Sequence, residues 1–128
     1  MTKVLAWINV SLLLFQLLPW VLKQMVRNRW IEPGTAYRSF LRTARTLHRP
    51  AGLLMILNGI SHGYMATAGN VRLNLTGTMV WLVLLATAAA GGVHLLTKNR
   101  NWLRVHRFMV LGFLAAVIWH YNFRGPIA

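Results

Sequence analysis

Four apolar stretches alternate with short polar ones along the chain: Val4–Leu22, Pro50–Ala68, Leu75–Leu96 and Val105–Phe123. About 20 apolar residues cross the roughly 30 Å hydrocarbon core of a bilayer as a helix. The pattern therefore predicts an all-α integral membrane four-helix bundle, a single transmembrane domain over residues 1–128 with helices at about 4–22, 50–68, 75–96 and 105–123. The first stretch has only Lys3 ahead of it, shows no small-residue cleavage pattern and ends in Pro19-Trp20 before basic residues, so it reads as a retained helix. Gly69-Asn70-Val71-Arg72 and Asn99-Arg100-Asn101 read as tight polar turns.

The connection from residue 23 to 49 is longer and patterned. Trp30-Ile31-Glu32-Pro33-Gly34 reads as a turn. Beyond it Tyr37, Phe40, Leu41, Ala44 and Leu47 recur at helical spacing, with Arg38, Arg42, Arg45 and Arg49 on the opposite face. This predicts a basic amphipathic cytoplasmic segment at about 35–49, suited to an anionic leaflet surface or to water alone. Pro50 either starts the second membrane helix or kinks a continuous one.

Composition supports a membrane class: 56% of residues are hydrophobic and the mean hydropathy is +0.48. A net charge of +13 would suggest nucleic acid in a soluble protein, but its placement argues otherwise. Lys23, Arg27, Arg29, Arg38, Arg42, Arg45 and Arg49 fall between the first two stretches, and Lys98, Arg100, Arg104 and Arg107 between the last two. Only Lys3, Arg72 and Arg124 remain for the other side. The positive-inside rule then makes 23–49 and 98–104 cytoplasmic and both termini outer, in a multi-pass protein of a bacterial-type plasma membrane. Trp7, Trp81, Trp119, Tyr64 and Tyr121 would form the outer aromatic belt, and Trp20, Trp30 and Trp102 the inner one. The chain has no cysteine, which excludes disulfides, iron–sulfur clusters and covalently attached c-type haem.

Two stretches carry the candidate chemistry, LHRPAGLLMILNGISHGY at 47–64 and VHRFMVLGFLAAVIWHYN at 105–122. His48 and His62 are fourteen residues apart, as are His106 and His120. Fourteen steps of a helix end about 40° short of four full turns and rise about 21 Å. Both histidines of a pair thus share a face, one near each membrane surface. The second and fourth helices run parallel, so His48 comes level with His106 and His62 with His120. A lone membrane histidine can be a hydrogen-bonded packing residue, but four at equal spacings fit that poorly. Structural zinc would ask for cysteine or carboxylate in the set. Two opposed imidazoles per level suit the axial positions of a haem.

Gly52, Met55 and Gly59 lie on the stripe from His48 to His62, and Val110, Phe113 and Val117 on that from His106 to His120. Gly52 and Gly59 would let a flat macrocycle approach, or would serve close helix packing. Arg49 and Arg107 directly follow the inner histidines, where propionates need cations, although charge sorting also places arginines there.

These two His-Arg helices resemble the haem-binding core of ferric reductases and NADPH oxidases. Their fourteen-residue spacing is shared with the b subunit of cytochrome bc complexes. The likeness covers the last three helices and reaches the first by position alone. It implies a helical membrane domain with two haem b groups between the second and fourth helices, the inner held by His48 and His106 and the outer by His62 and His120. The oxidases continue into a flavin- and nicotinamide-binding domain. This sequence shows no dinucleotide fingerprint before Ala128, so the electron donor is expected to be another molecule. His94, near the inner end of the third helix, is a quinone contact, a propionate partner, a substitute for His48, or a structural histidine.

The expected function is a di-haem b-type cytochrome, the membrane subunit of an oxidoreductase with no catalytic side chain of its own. It would carry electrons from a cytoplasmic flavoprotein or quinol to an outer protein or small-molecule acceptor, in membrane lipid, alone or as an oligomer. The alternatives are a self-contained quinol-oxidising or superoxide-handling b cytochrome, and a non-haem structural subunit or exporter. A proton-coupled exporter needs a membrane carboxylate, and Glu32, the single acid, lies in a loop.

Overall fold

The computed structural model describes residues 2–67 and 75–123. Over them the chain forms four helices, α1 (Thr2–Arg27), α2 (Thr35–Ala66), α3 (Leu75–Thr97) and α4 (Arg100–Phe123), with no strand among the described residues. The expected turn at Gly69–Arg72, the last residue of the second apolar stretch, Ala68, and Arg124 lie outside the described residues.

The helices overrun the apolar stretches at their basic ends. Lys23, Gln24, Met25 and Arg27 are good helix formers, and cations suit a helix C-terminus, so α1 continues to Arg27. It is closed by two reversed bonds. The Arg29 N–H donates to the Val26 carbonyl (3.0 Å) and the Trp30 N–H to that of Met25 (2.9 Å). Arg29 takes the left-handed conformation this closure requires (φ 59°), a position more often given to glycine.

α2 is one helix of 32 residues, continuous through Pro50. The amphipathic segment at 35–49 and the apolar segment from residue 50 are therefore not separate elements. At 1.5 Å per residue the helix is about 48 Å long, well beyond a hydrocarbon core of about 30 Å. Its stripe of Leu41, Ala44, Ala51 and Met55 is buried, while Arg38, Arg42, Arg45 and Arg49 are exposed.

α1, α3 and α4 are each long and apolar enough to cross a membrane. α2 is not among these three, since Asn58, Ser61 and His62 interrupt its apolar half. Many large apolar side chains point outward, among them Trp7 at 70% exposed, Leu14 at 62% and Phe108 at 73%. Such faces suit lipid rather than water.

The chain divides into two compact units, Met1–His62 and Gly63–Ala128. In the first, α1 and α2 run antiparallel, tied by the Asn58 amide donating to the Leu5 carbonyl (2.8 Å) and the Gln16 amide to that of His48 (3.0 Å). In the second, α3 and α4 pack antiparallel around Leu84, Thr87, Ala90 and Phe113. Their connection is two residues long. Lys98 is left-handed (φ 56°), and the Asn99 side chain caps α4 by accepting the Asn101 N–H at 2.9 Å.

Candidate histidine sites

α4 presents both of its histidines to α3. The His106 Nδ1–H donates to the backbone carbonyl of Thr87 at 2.8 Å. That carbonyl already closes a helical turn and uses its second lone pair for the imidazole. The ring approaches this closely because residue 91 is glycine. A Cβ there would sit 3.2 Å from His106 Nδ1 and 3.4 Å from Cε1. The buried Thr87 hydroxyl is satisfied separately by donating to the Val83 carbonyl at 2.7 Å. One level along, His120 Nδ1 lies 2.9 Å from the Thr76 hydroxyl, which can donate or accept. The fourteen-residue spacing thus does place both imidazoles on one face of α4.

In the first unit, the His62 Nδ1–H donates to the Thr2 carbonyl of α1 at 3.2 Å. His48 lies within α2, two residues before Pro50, and is exposed. Its backbone carbonyl receives Gln16, and Gln16 in turn rests on Gly52, whose added Cβ would lie 3.3 Å from the amide nitrogen. The close approach that Gly52 permits is therefore with α1. Met55 is buried and Gly59 half-buried on the same stripe. Arg49 and Arg107 are exposed beside their histidines.

His94 donates from Nδ1 to the Asn99 carbonyl at 3.0 Å. Asn99 also caps α4, so this bond ties the end of one helix to the cap of the next.

A carbonyl only accepts, so the Nδ1 atoms of His62, His94 and His106 each carry a proton directed at their partner. Metal-bound histidine is held in this state, with the second ring N–H given to a carbonyl, carboxylate or water. Were the haem implied by the resemblance to be held by His62 and His106, it would find both rings supported at Nδ1 in this way. His120 is supported likewise when the Thr76 hydroxyl accepts. No group of three or more His, Cys, Asp or Glu able to hold a metal ion occurs among the described residues.

The sequence pattern did not single out Thr76, Thr87 and Gly91 on α3, or the polar side chains of α1. Asn9 and Gln16 stand seven residues apart on α1, and Asn9 Oδ1 and Gln16 Oε1 are buried without a hydrogen-bond partner among the described residues. The polar i, i+7 repeat in an apolar helix was the available signal for α1. Thr87 and Gly91, four apart, read in isolation as ordinary small-residue packing.

No protein-family model, curated protein or solved structure matches this chain.

Proposed function

We propose that the chain is a two-haem b-type cytochrome carrying electrons across a membrane, similar in its core to the ferric reductase and NADPH oxidase domains. The carrying observation is His106: its ring is seated over Gly91 and its Nδ1 proton held by the Thr87 carbonyl. That environment orients an imidazole and fixes its tautomer, which is what an axial ligand requires. The His62–Thr2 bond supplies the same support in the first unit.

On this reading His48 and His106 serve the inner haem and His62 and His120 the outer, as their equal spacings suggest. Arg49 and Arg107 offer cations to the inner propionates, and Gly59 lies on the stripe between His48 and His62. Haem b, when bound, supplies one-electron redox chemistry; the chain supplies ligation, spacing and a low-dielectric surround. A cytoplasmic flavoprotein or quinol is oxidised on the side of the 23–49 and 98–104 segments, and an outer acceptor is reduced on the other. His94 acts as the clasp of the α3–α4 turn.

The test is the absorption spectrum of the purified protein, oxidised and then reduced, with haem counted by the pyridine haemochrome method. Two haem b per chain is the expected result. A protein that takes up no haem when expressed with haem supply overturns the reading.

A further inference from the structure

Arg38, Arg42 and Arg45 recur at i, i+4 and i+7 on α2, which brings their side chains to one face of the helix. With Leu41 and Thr46 they line an open cavity of about 390 Å³. All three arginines are exposed, whereas Leu41, which lines the cavity with them, is buried. Like charges at this spacing repel by a few tenths of a kcal/mol per pair, and Glu32 is the only acid in the sequence that could relieve them. Haem ligation makes no use of these three residues.

We propose that this cavity docks the acidic face of a soluble cytoplasmic protein. The inference rests on the function proposed above for the partner's role, that of electron donor.

Position along α2 favours a protein over lipid headgroups. The apolar half of the helix begins at Ala51, and the helix runs unbroken from there back to Thr35. At 1.5 Å per residue, Arg45 lies about 9 Å before Ala51, Arg42 about 14 Å and Arg38 about 20 Å. Headgroups extend only about 5–8 Å beyond the hydrocarbon on each side. A tilt of about 20° shortens these heights by less than a tenth. With the edge of the hydrocarbon at Ala51, lipid phosphates would reach Arg49 and at most the edge of Arg45. Arg42 and Arg38 would then stand in water, where a protein's carboxylates can meet guanidinium groups in paired hydrogen bonds.

The test uses the full chain in neutral phosphatidylcholine nanodiscs, with fluorescent poly-L-glutamate as the acidic probe. Binding is expected at low salt and should be lost at about 0.5 M salt, where charges are screened within a few ångströms. Changing Arg38, Arg42 and Arg45 together to glutamine should weaken binding about tenfold or more. Lys98→Gln, Arg100→Gln and Arg104→Gln together remove the same charge elsewhere and should change binding about twofold or less. Equal weakening by both triple variants would mean that net charge, not the cavity, binds the probe, and overturns the proposal. So does failure of the parent chain to bind. Binding should persist in nanodiscs containing phosphatidylglycerol; its abolition there would assign the arginines to headgroups and also overturn docking. Haem is counted in every sample. Binding without haem removes the function proposed above and leaves docking standing, while haem without binding removes docking alone.

Discussion

The imidazole of His106 occupies the space a side chain at residue 91 would fill, and from there donates to the Thr87 carbonyl at 2.8 Å. This histidine and a glycine on the neighbouring helix are thus a matched pair. Gly91→Ala is expected to push the ring by a few tenths of an ångström and weaken haem retention at that level about 10- to 100-fold, the usual effect of disturbing a ligand's supporting partner. Gly92→Ala meets nothing within 4 Å and serves as the control. Haem content read beside helical circular dichroism checks this; equal haem in both variants would separate His106 from ligation.

The pairing by level makes a second prediction. His62→Ala and His120→Ala should each remove the same haem, and His48→Ala and His106→Ala the other. Redox titration of each variant resolves which of two potentials disappears. Loss of the same component from His48→Ala and His62→Ala would break the level assignment, and a persistent inner component in His48→Ala would turn attention to His94.

Much of this arrangement was legible in the sequence because the signals are local. Apolar run length marks where helices lie, and a repeated spacing of fourteen shows that His106 and His120 share a helix face. Other features depend on a neighbour. Pro50 starts a helix as readily as it interrupts one, so the union of residues 35–66 into α2 was not decidable from that residue. Gly91 acquires meaning only once α4 is laid against α3 and the His106 ring is seen above it. Gln16 likewise acquires a role only once α2 lies beside α1 and its amide meets the His48 carbonyl.

That polar seam can be measured. A buried acceptor with no donor costs about 1–3 kcal/mol, so Asn9→Leu should leave the thermal midpoint of the detergent-solubilised protein unchanged or raise it. Asn58→Leu deletes the bond to the Leu5 carbonyl and should lower stability by about 1 kcal/mol. Greater damage from Asn9→Leu than from Asn58→Leu would mean that Asn9 Oδ1 is paired in the folded protein.

Membrane orientation is testable with single cysteines in a chain that has none. A cysteine at Asn70 should react with an impermeant maleimide on intact cells, and one at Thr35 only after permeabilisation. The opposite pattern would invert the topology and place the arginine cavity outside.

The two-residue link between α3 and α4 bears on how the protein is made. Lys98 is already turned back, Asn99 caps the next helix, and His94 grips that same residue from behind, so all the bonds of the turn close within eight residues. Contacts this near in sequence form early, because little chain entropy is lost in closing them. Residues 75–123 can therefore assemble during synthesis as a hairpin, with His106 already seated over Gly91.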